Sequence, residues 1–475
     1  MFDIIIIGAG IIGCQMAYTL SLTDLSVLVI EKNTEVLNEV SSANSGIIHT
    51  GYDPKEGTLK ALLNAKGARM YRDLCEKLQV PLMECGSLLV AHNDQEIETL
   101  QGIMDKAEHR KISCEMLDQN ACRKIEPNIA PSIIAALYFP TTASILPWQM
   151  GYALIDNACQ NGVKLHTSEP VIKVERGCVI TVTTPKASYQ AKMVINCSGL
   201  SGDKIARLAE PDYPITLRLK KGEYQVTDKT EASYLNHILF PLPTDKGKGV
   251  LAVKTVEGNL LFGPNSTLVK DPFDNDTTPD GLAEVNEKIK DVIIPLPQSR
   301  MIRQFAGVRP GSPTEDFIIE NHDHWINVIG IDSPGLASSP AIAQYVLDEF
   351  IVPTLNPQPV ERSVYVHQKP LSMMTHDQRN ALIKKNPDYG KIVCLCEDVS
   401  YQEVADAIHS PAQTKSIKGI KRRCRPGSGR CQGGFCEAKI VDILSKELGI
   451  PKEKVLYDND DSAFLTPMEA LYETK

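Results

Sequence analysis

Asp3-Ile4-Ile5-Ile6-Ile7-Gly8-Ala9-Gly10-Ile11-Ile12-Gly13 decides the fold of this chain. Four consecutive isoleucines leave no polar face, as in a parallel strand covered on both sides. The strand runs into a full G-x-G-x-x-G, and Met16, Ala17 and Leu20 then fall on one side of a helix. A second strand, Val27 to Ile30, ends in Glu31. In such a unit Gly8 permits the tight turn, Gly10 lets a pyrophosphate approach the backbone, and Gly13 allows close helix–strand packing. The helix N-terminus faces the phosphate charge, and Glu31 is placed for the adenosine ribose hydroxyls. A glycine turn alone is weak evidence. Strand, helix, second strand and terminal acid in register make a Rossmann-type nucleotide site.

The rest of the composition narrows the class. With 475 residues, 43% apolar and 23% charged, the chain has room for two or three globular domains. Fifty basic against fifty-nine acidic side chains give a net charge of -9, which argues against a nucleic-acid partner. No apolar run approaches the roughly 18 residues of a membrane span, and Met1-Phe2-Asp3 leads straight into a strand without a signal peptide. Thirteen cysteines without such a signal fit reduced thiols, some of them ligands, better than a disulfide framework. The expectation is a cytoplasmic protein whose membrane association, if any, runs through a partner.

The stretches beyond Glu31 separate FAD from NAD. Ser41-Ser42-Ala43-Asn44-Ser45-Gly46-Ile47-Ile48-His49-Thr50-Gly51-Tyr52, Val194-Ile195-Asn196-Cys197-Ser198-Gly199, Phe305-Ala306-Gly307-Val308-Arg309-Pro310 and Asn327-Val328-Ile329-Gly330-Ile331-Asp332-Ser333-Pro334-Gly335-Leu336 stand in the order of the D-amino-acid oxidase superfamily of FAD oxidoreductases. The sequence resembles that superfamily, with Cys197 in place of its usual small residue. The resemblance implies non-covalent FAD touched by Gly8, Gly10, Gly13, Glu31, Lys32, Ser42, Asn44, Ser45, Gly46, Val171, Ser198, Gly199, Gly330, Gly335 and Leu336. It also implies a discontinuous FAD domain from 1–80, 145–205 and 320–355, interleaved with an α+β substrate domain from 81–144 and 206–319. Within the latter, Gly249–Val253 and Asn259–Gly263 read as strands paired across Glu257-Gly258. Thr58 to Leu78, with Leu59, Leu62, Leu63, Met70, Leu74 and Leu78 at helical spacing, reads as a core helix with Lys60 exposed.

A proline-punctuated connector, 356–385, leads to a last unit at 386–475. It opens with Cys394-Leu395-Cys396, continues through a capping box at Ser400-Tyr401-Gln402-Glu403, and closes with Cys431-Gln432-Gly433-Gly434-Phe435-Cys436 at the start of another helix. A CxC, a 34-residue spacer and a CxxxxC can gather four thiolates, with glycines letting the backbone wrap closely. The segment resembles the 2Fe-2S module of bacterioferritin-associated ferredoxin and, more closely, the C-terminal domain of the anaerobic glycerol-3-phosphate dehydrogenase A-subunit family. A zinc site or metal-free thiols remain alternative readings, and Cys424 reads as a bystander. Lys421-Arg422-Arg423 and Arg425 read either as a docking patch for a redox partner or as a solvated loop. Asp458-Asn459-Asp460-Asp461 reads as an acidic break, with a short helix capped at Thr466-Pro467-Met468-Glu469 after it.

A flavin and a one-electron cluster on one chain suit a dehydrogenase that takes two electrons from a small anionic substrate and releases them singly to a partner, a second flavoprotein or a quinone-linked membrane subunit. His49 is the candidate proton acceptor, or else a group that only packs on the flavin. Arg309 is the candidate anion fork. Lys60, Tyr224, Lys254 and Arg303 are lesser substrate candidates. The resemblance points to sn-glycerol 3-phosphate. Asn44–Gly51 with Gly57-Thr58-Leu59-Lys60-Ala61 also resembles L-2-hydroxyglutarate dehydrogenase, and amino-acid dehydrogenases or an electron-relay or redox-sensing subunit stay open.

Overall fold

The computed structural model describes residues 1–243 and 249–465, so the helix read at Thr466–Glu469 lies outside the described residues. Phe2–Ile7 is the centre of an eight-stranded sheet, flanked in parallel by Val27–Ile30 and Ser188–Asn196. Lys164–His166 and Trp325–Ile329 extend it on either side, and Ile318–His322 closes one edge antiparallel. Ile4, Ile5 and Ile6 are fully buried because both faces are covered. Helix Ile11–Ser21 packs on Pro147–Gln160, and Leu59–Leu78 packs on Gly335–Val346.

The helix Leu59–Leu78 starts at Thr58, whose hydroxyl accepts the amide of Ala61. It buries Leu63, Tyr71, Cys75 and Leu78, but Leu62 is 59% exposed, so its core face is narrower than its leucines suggest. Lys60 is not a free surface lysine. Its ammonium sits 2.7 Å from Asp332 and is largely covered.

A second sheet of nine strands is antiparallel except where Ile238–Phe240 runs alongside Ser87–Ala91. Its longest pairing joins Arg218–Thr227 to Met301–Gly311, setting Lys220 opposite Arg309, Tyr224 opposite Phe305 and Val226 opposite Arg303. Leu251–Lys254 and Leu260–Gly263 form the paired strands read around Glu257-Gly258.

The C-terminal unit is three helices, Tyr401–Ile408, Ile417–Cys424 and Glu437–Leu448, closed over Val404, Ile408, Ile420, Ile440 and Leu444. The Ser400/Glu403 capping box forms. Part of the stretch read as linker is itself helical, His376–Lys385, and an earlier part is pinned to the first domain where Asn157 bonds both backbone groups of Tyr365.

The basic run is neither a docking patch nor a solvated loop. Arg423 is buried against Asp156 at 2.7 Å and lies 4.0 Å over the Tyr152 ring. Arg422 reaches Asn38 and Asp458, and Arg425 reaches Glu397 and Glu257. Buried Glu35 completes this seam, one oxygen accepting from the hydroxyls of Thr414 and Ser416 and the amides of Lys415 and Ser416. The acidic break belongs to it too, since Asp460 accepts from Thr34 and Ser168. Burial alone would raise the Asp156 carboxyl, but Arg423 and His367 outweigh it and hold the pKa at about 2. A depressed carboxyl stabilises the fold above its unfolded pKa and stops doing so as pH falls through the folded one. About 2 kcal/mol of stability is therefore expected to be present at pH 5 and lost between about pH 4 and 2. Thermal unfolding followed against pH checks this, and Asp156→Asn should flatten the slope in that window.

Candidate active site and cysteine cluster

Two connected cavities run along the top of the first sheet. One, about 350 Å³, is lined by Gly8, Gly10, Ile12, Glu31, Lys32, Val171, Ser198 and Gly199. The helix Ile11–Ser21 opens onto it with its Ile11 amide donating to the Ser41 hydroxyl at 2.9 Å, no cap from Gly10 and no acid in its first turn, which leaves the rest of its positive end for an anion. Glu31 is buried at the far end, accepting from the amides of Ala9 at 2.7 Å and Asn33 at 2.9 Å, and burial raises its pKa. Gly13 is not a lining residue; a Cβ there would stand 1.9 Å from the Gly8 carbonyl, so its role is packing. Lys32 lines the cavity while paired with Glu39 at 2.6 Å.

The other cavity, about 320 Å³, shares Ile11, Ile12, Val40, Ser41 and Ile331 with the first. Its walls include Asn44, Ser45, His49, Lys220, Tyr224, Lys288, Arg309, Gly335 and Leu336. His49 is buried, its ring tilted against Phe240 at 5.4 Å and its carbonyl accepting from Asn64 at 2.9 Å. Tyr224 stacks on Phe305 at 4.7 Å, and burial raises its phenol pKa. His49 and Arg309 thus meet in one cavity, as do Tyr224, Gly335 and Leu336. Lys220 and Lys288 carry no local sequence signal. Lys220 enters only through its cross-strand register with Arg309, and Lys288 through a helix from a separate segment.

Other candidates fall elsewhere. Arg303 faces a third crevice, of about 460 Å³, which shares Asn38, Glu39 and Val40 with the first cavity and Asn44 and Ser45 with the second and reaches the C-terminal unit, where Arg303 donates to Gln432 at 3.0 Å. Ser42 and Gly46 line that crevice too. Lys254 lines neither of the first two cavities, because its strand delivers Val250 and Leu251 to the wall and carries Lys254 away. Gly330 lines neither and makes a left-handed turn against Ser312. Lys60 reaches the second cavity only through Asp332. Cys197 is a buried thiol whose pKa burial pushes up to about 12.

The four cysteines gather as two pairs. Cys396 and Cys431 stand 3.7 Å apart, close to the roughly 3.8 Å between two thiolates on one tetrahedral metal with 2.3 Å bonds. The Cys436 thiol donates to Cys394 and pulls the latter's pKa down to about 6. Among the described residues no three His, Cys, Asp or Glu side chains group around a single ion. Gly429 lets the loop close, since a Cβ there would meet Cys396 Cβ at 2.3 Å. Cys424 points away, donating to the Ile420 carbonyl, and burial raises its pKa.

A glycine turn opening on a helix with no acid in its first turn, a buried acid beyond it and a polar cavity at the other end define a flavin-dependent oxidoreductase fold. Residues 3–349 match the family described as FAD dependent oxidoreductase, and the chain belongs to that family. Residues 392–446 match the BFD-like [2Fe-2S] binding domain. FAD and a 2Fe-2S cluster are its cofactors. Within the family the chain is similar to a glycerol 3-phosphate dehydrogenase of Caloramator mitchellensis, 38% identical over 98% of both chains. It is 28% identical to an L-2-hydroxyglutarate dehydrogenase of Escherichia coli over 56% of this chain and 64% of that one. The solved FAD-bound L-alpha-glycerophosphate oxidase of Mycoplasma pneumoniae superposes with a TM-score of 0.72 at 30% identity, covering 78% of this chain and 99% of that one. Among the described residues no helix is long and apolar enough to cross a membrane.

Proposed function

We propose that this enzyme oxidises sn-glycerol 3-phosphate to dihydroxyacetone phosphate and passes the electrons through its 2Fe-2S cluster to a partner protein. The observation that carries the substrate is the cavity wall, where Arg309 and Lys220 lie side by side across two strands with His49 in the same cavity, while Lys288 is already paired with Glu284 at 2.5 Å. Two cations suit a phosphate dianion, and the fork of Arg309 fixes its orientation. His49 takes the proton of the C2 hydroxyl, its ring held against Phe240. When bound, FAD supplies the two-electron acceptor for the C2 hydride. The similarity to the Caloramator glycerol 3-phosphate dehydrogenase over nearly the whole chain supports the same reading.

Anaerobic mixing with glycerol 3-phosphate, 2-hydroxyglutarate and a set of amino acids tests it. Glycerol 3-phosphate should bleach the flavin absorbance, and bleaching by 2-hydroxyglutarate alone would replace the phosphate reading with the carboxylate one. Cofactor retention gives a second check. Glu31 braces the glycine turn through Ala9 and is proposed to hold the ribose. A charge-assisted contact at a buried position contributes roughly 1.5–3 kcal/mol, so Glu31→Ala should weaken FAD binding at least about tenfold in equilibrium dialysis. Unchanged affinity would remove Glu31 from that role.

A further inference from the structure

Burying the basic run in the domain seam leaves open where a partner meets the cluster. Among the described residues the two most exposed large apolar side chains are Leu395, 84% exposed, and Phe435, 82% exposed. Each is next in sequence to a cluster cysteine, Leu395 between Cys394 and Cys396 and Phe435 beside Cys436. They come from the two loops that carry the cysteines, and neither packs into the C-terminal core. Their exposure has a structural reason: Cys394 and Cys436 turn inward to 2% and 1% exposure, so their neighbours point out.

The surroundings of this apolar pair are basic. Arg430, 70% exposed, precedes Cys431, and its nearest carboxylate, Asp228, is 3.6 Å away. Lys229 donates to the Cys396 carbonyl at 2.9 Å and is 42% exposed. Lys439 is exposed on the first turn after Cys436. The carboxylates around the cysteines are more covered than these cations: Glu397 is buried and held by Arg425, Asp228 is 13% exposed, and Glu437 beside Cys436 is only partly exposed. On a chain of net charge -9, a local basic rim orients an acidic partner toward this face while the remaining surface repels it.

We infer that Leu395 and Phe435, rimmed by Arg430, Lys229 and Lys439, form the docking face for an acidic one-electron carrier protein with an apolar spot at its own redox edge. Exposed apolar side chains within a charged rim are the ordinary anatomy of a short-lived protein contact. The inference rests on the proposed electron route and gives it a place and a partner chemistry. Each encounter oxidises the reduced cluster by one electron and reduces the carrier by one. One substrate turnover therefore takes two encounters.

The test uses full-length holoenzyme whose cluster has been reduced with dithionite and verified by electron paramagnetic resonance. It is mixed in stopped flow with a soluble acidic cytochrome of the b5 type or with basic cytochrome c. The acidic carrier should be reduced at least tenfold faster, and its rate should fall as salt rises. Leu395→Glu and Phe435→Glu should each slow it at least tenfold, and Arg430→Glu should lower the rate and weaken its salt dependence. Iron content, the resonance signal and substrate bleaching should stay at wild-type levels in all three. Val366→Glu, at a 49% exposed apolar site outside the cysteine loops, should change nothing. Wild-type rates in the Leu395 and Phe435 variants, or preference for basic cytochrome c, would overturn the docking face. Failure of substrate to reduce the cluster would instead overturn the electron route, because dithionite loads the cluster independently of the flavin.

Discussion

Serine in place of Cys394, Cys396, Cys431 or Cys436 is expected to remove the cluster, with iron and labile sulfide falling from about two each per chain to none. The thiols stand as two pairs, so each replacement leaves one iron with a single thiolate and a poor alkoxide donor. Cys394 and Cys436 are almost fully buried, which leaves little room for solvent to supply a substitute ligand. Cys424→Ser is the matched control. Its thiol bonds the Ile420 carbonyl and is kept neutral by burial, so the cluster should survive. Iron and sulfide analysis of anaerobically prepared protein reads both outcomes. Because the flavin cavities lie in the first two domains, substrate should still bleach FAD in the cluster-free variants while delivery to a protein acceptor collapses. Zinc without iron in anaerobically prepared wild-type protein would refute the electron-wire reading at its root.

The features legible in the sequence are those whose cause is local. Asp3–Ile7 and the glycine turn declare a covered strand and a phosphate-facing helix because each requirement acts over a few residues. The cysteine spacing declares a cluster for the same reason. Tertiary register is what the sequence hides. Arg303 and Arg309 are six residues apart on one strand and, by alternation, on one face, yet Arg309 lines the inner cavity and Arg303 bonds the cluster loop. No local signal says where along that face the cavity ends. Lys220 joins the site through its pairing with residue 309, and the partner of Arg423 lies 267 residues away at Asp156. A dense basic run in an acidic chain therefore reads as surface until its buried counter-charges are in place. Leu62 fails in a simpler way. Leucines at helical spacing outline a face, but the width of the neighbouring helix decides how much of it is covered.

Replacing His49 and Arg309 should separate chemistry from binding in the proposed reaction. Arg309 holds charge that is the same in substrate and transition state, so Arg309→Ala is expected to raise KM and lower kcat/KM at least about tenfold with a smaller change in kcat. Lys220 shares that load from the opposite strand, so the single arginine variant should retain measurable binding and the Arg309/Lys220 double variant should lose more than either alone. His49 acts differently, since a proton acceptor matters only as the C2 hydroxyl loses its proton. His49→Ala should therefore slow flavin reduction at saturating substrate by roughly 10²–10⁴-fold while the substrate concentration at half-saturation changes little. Rapid-mixing measurement of flavin bleaching across substrate concentrations distinguishes the two patterns. If His49→Ala instead loses FAD on dialysis and reduces at a normal rate once saturated with the cofactor, the imidazole is a packing group against the flavin and the base must be sought elsewhere in the cavity. If Arg309→Ala leaves glycerol 3-phosphate saturation unchanged, the arginine fork does not hold the anion and the proposed orientation of the substrate in this cavity is wrong.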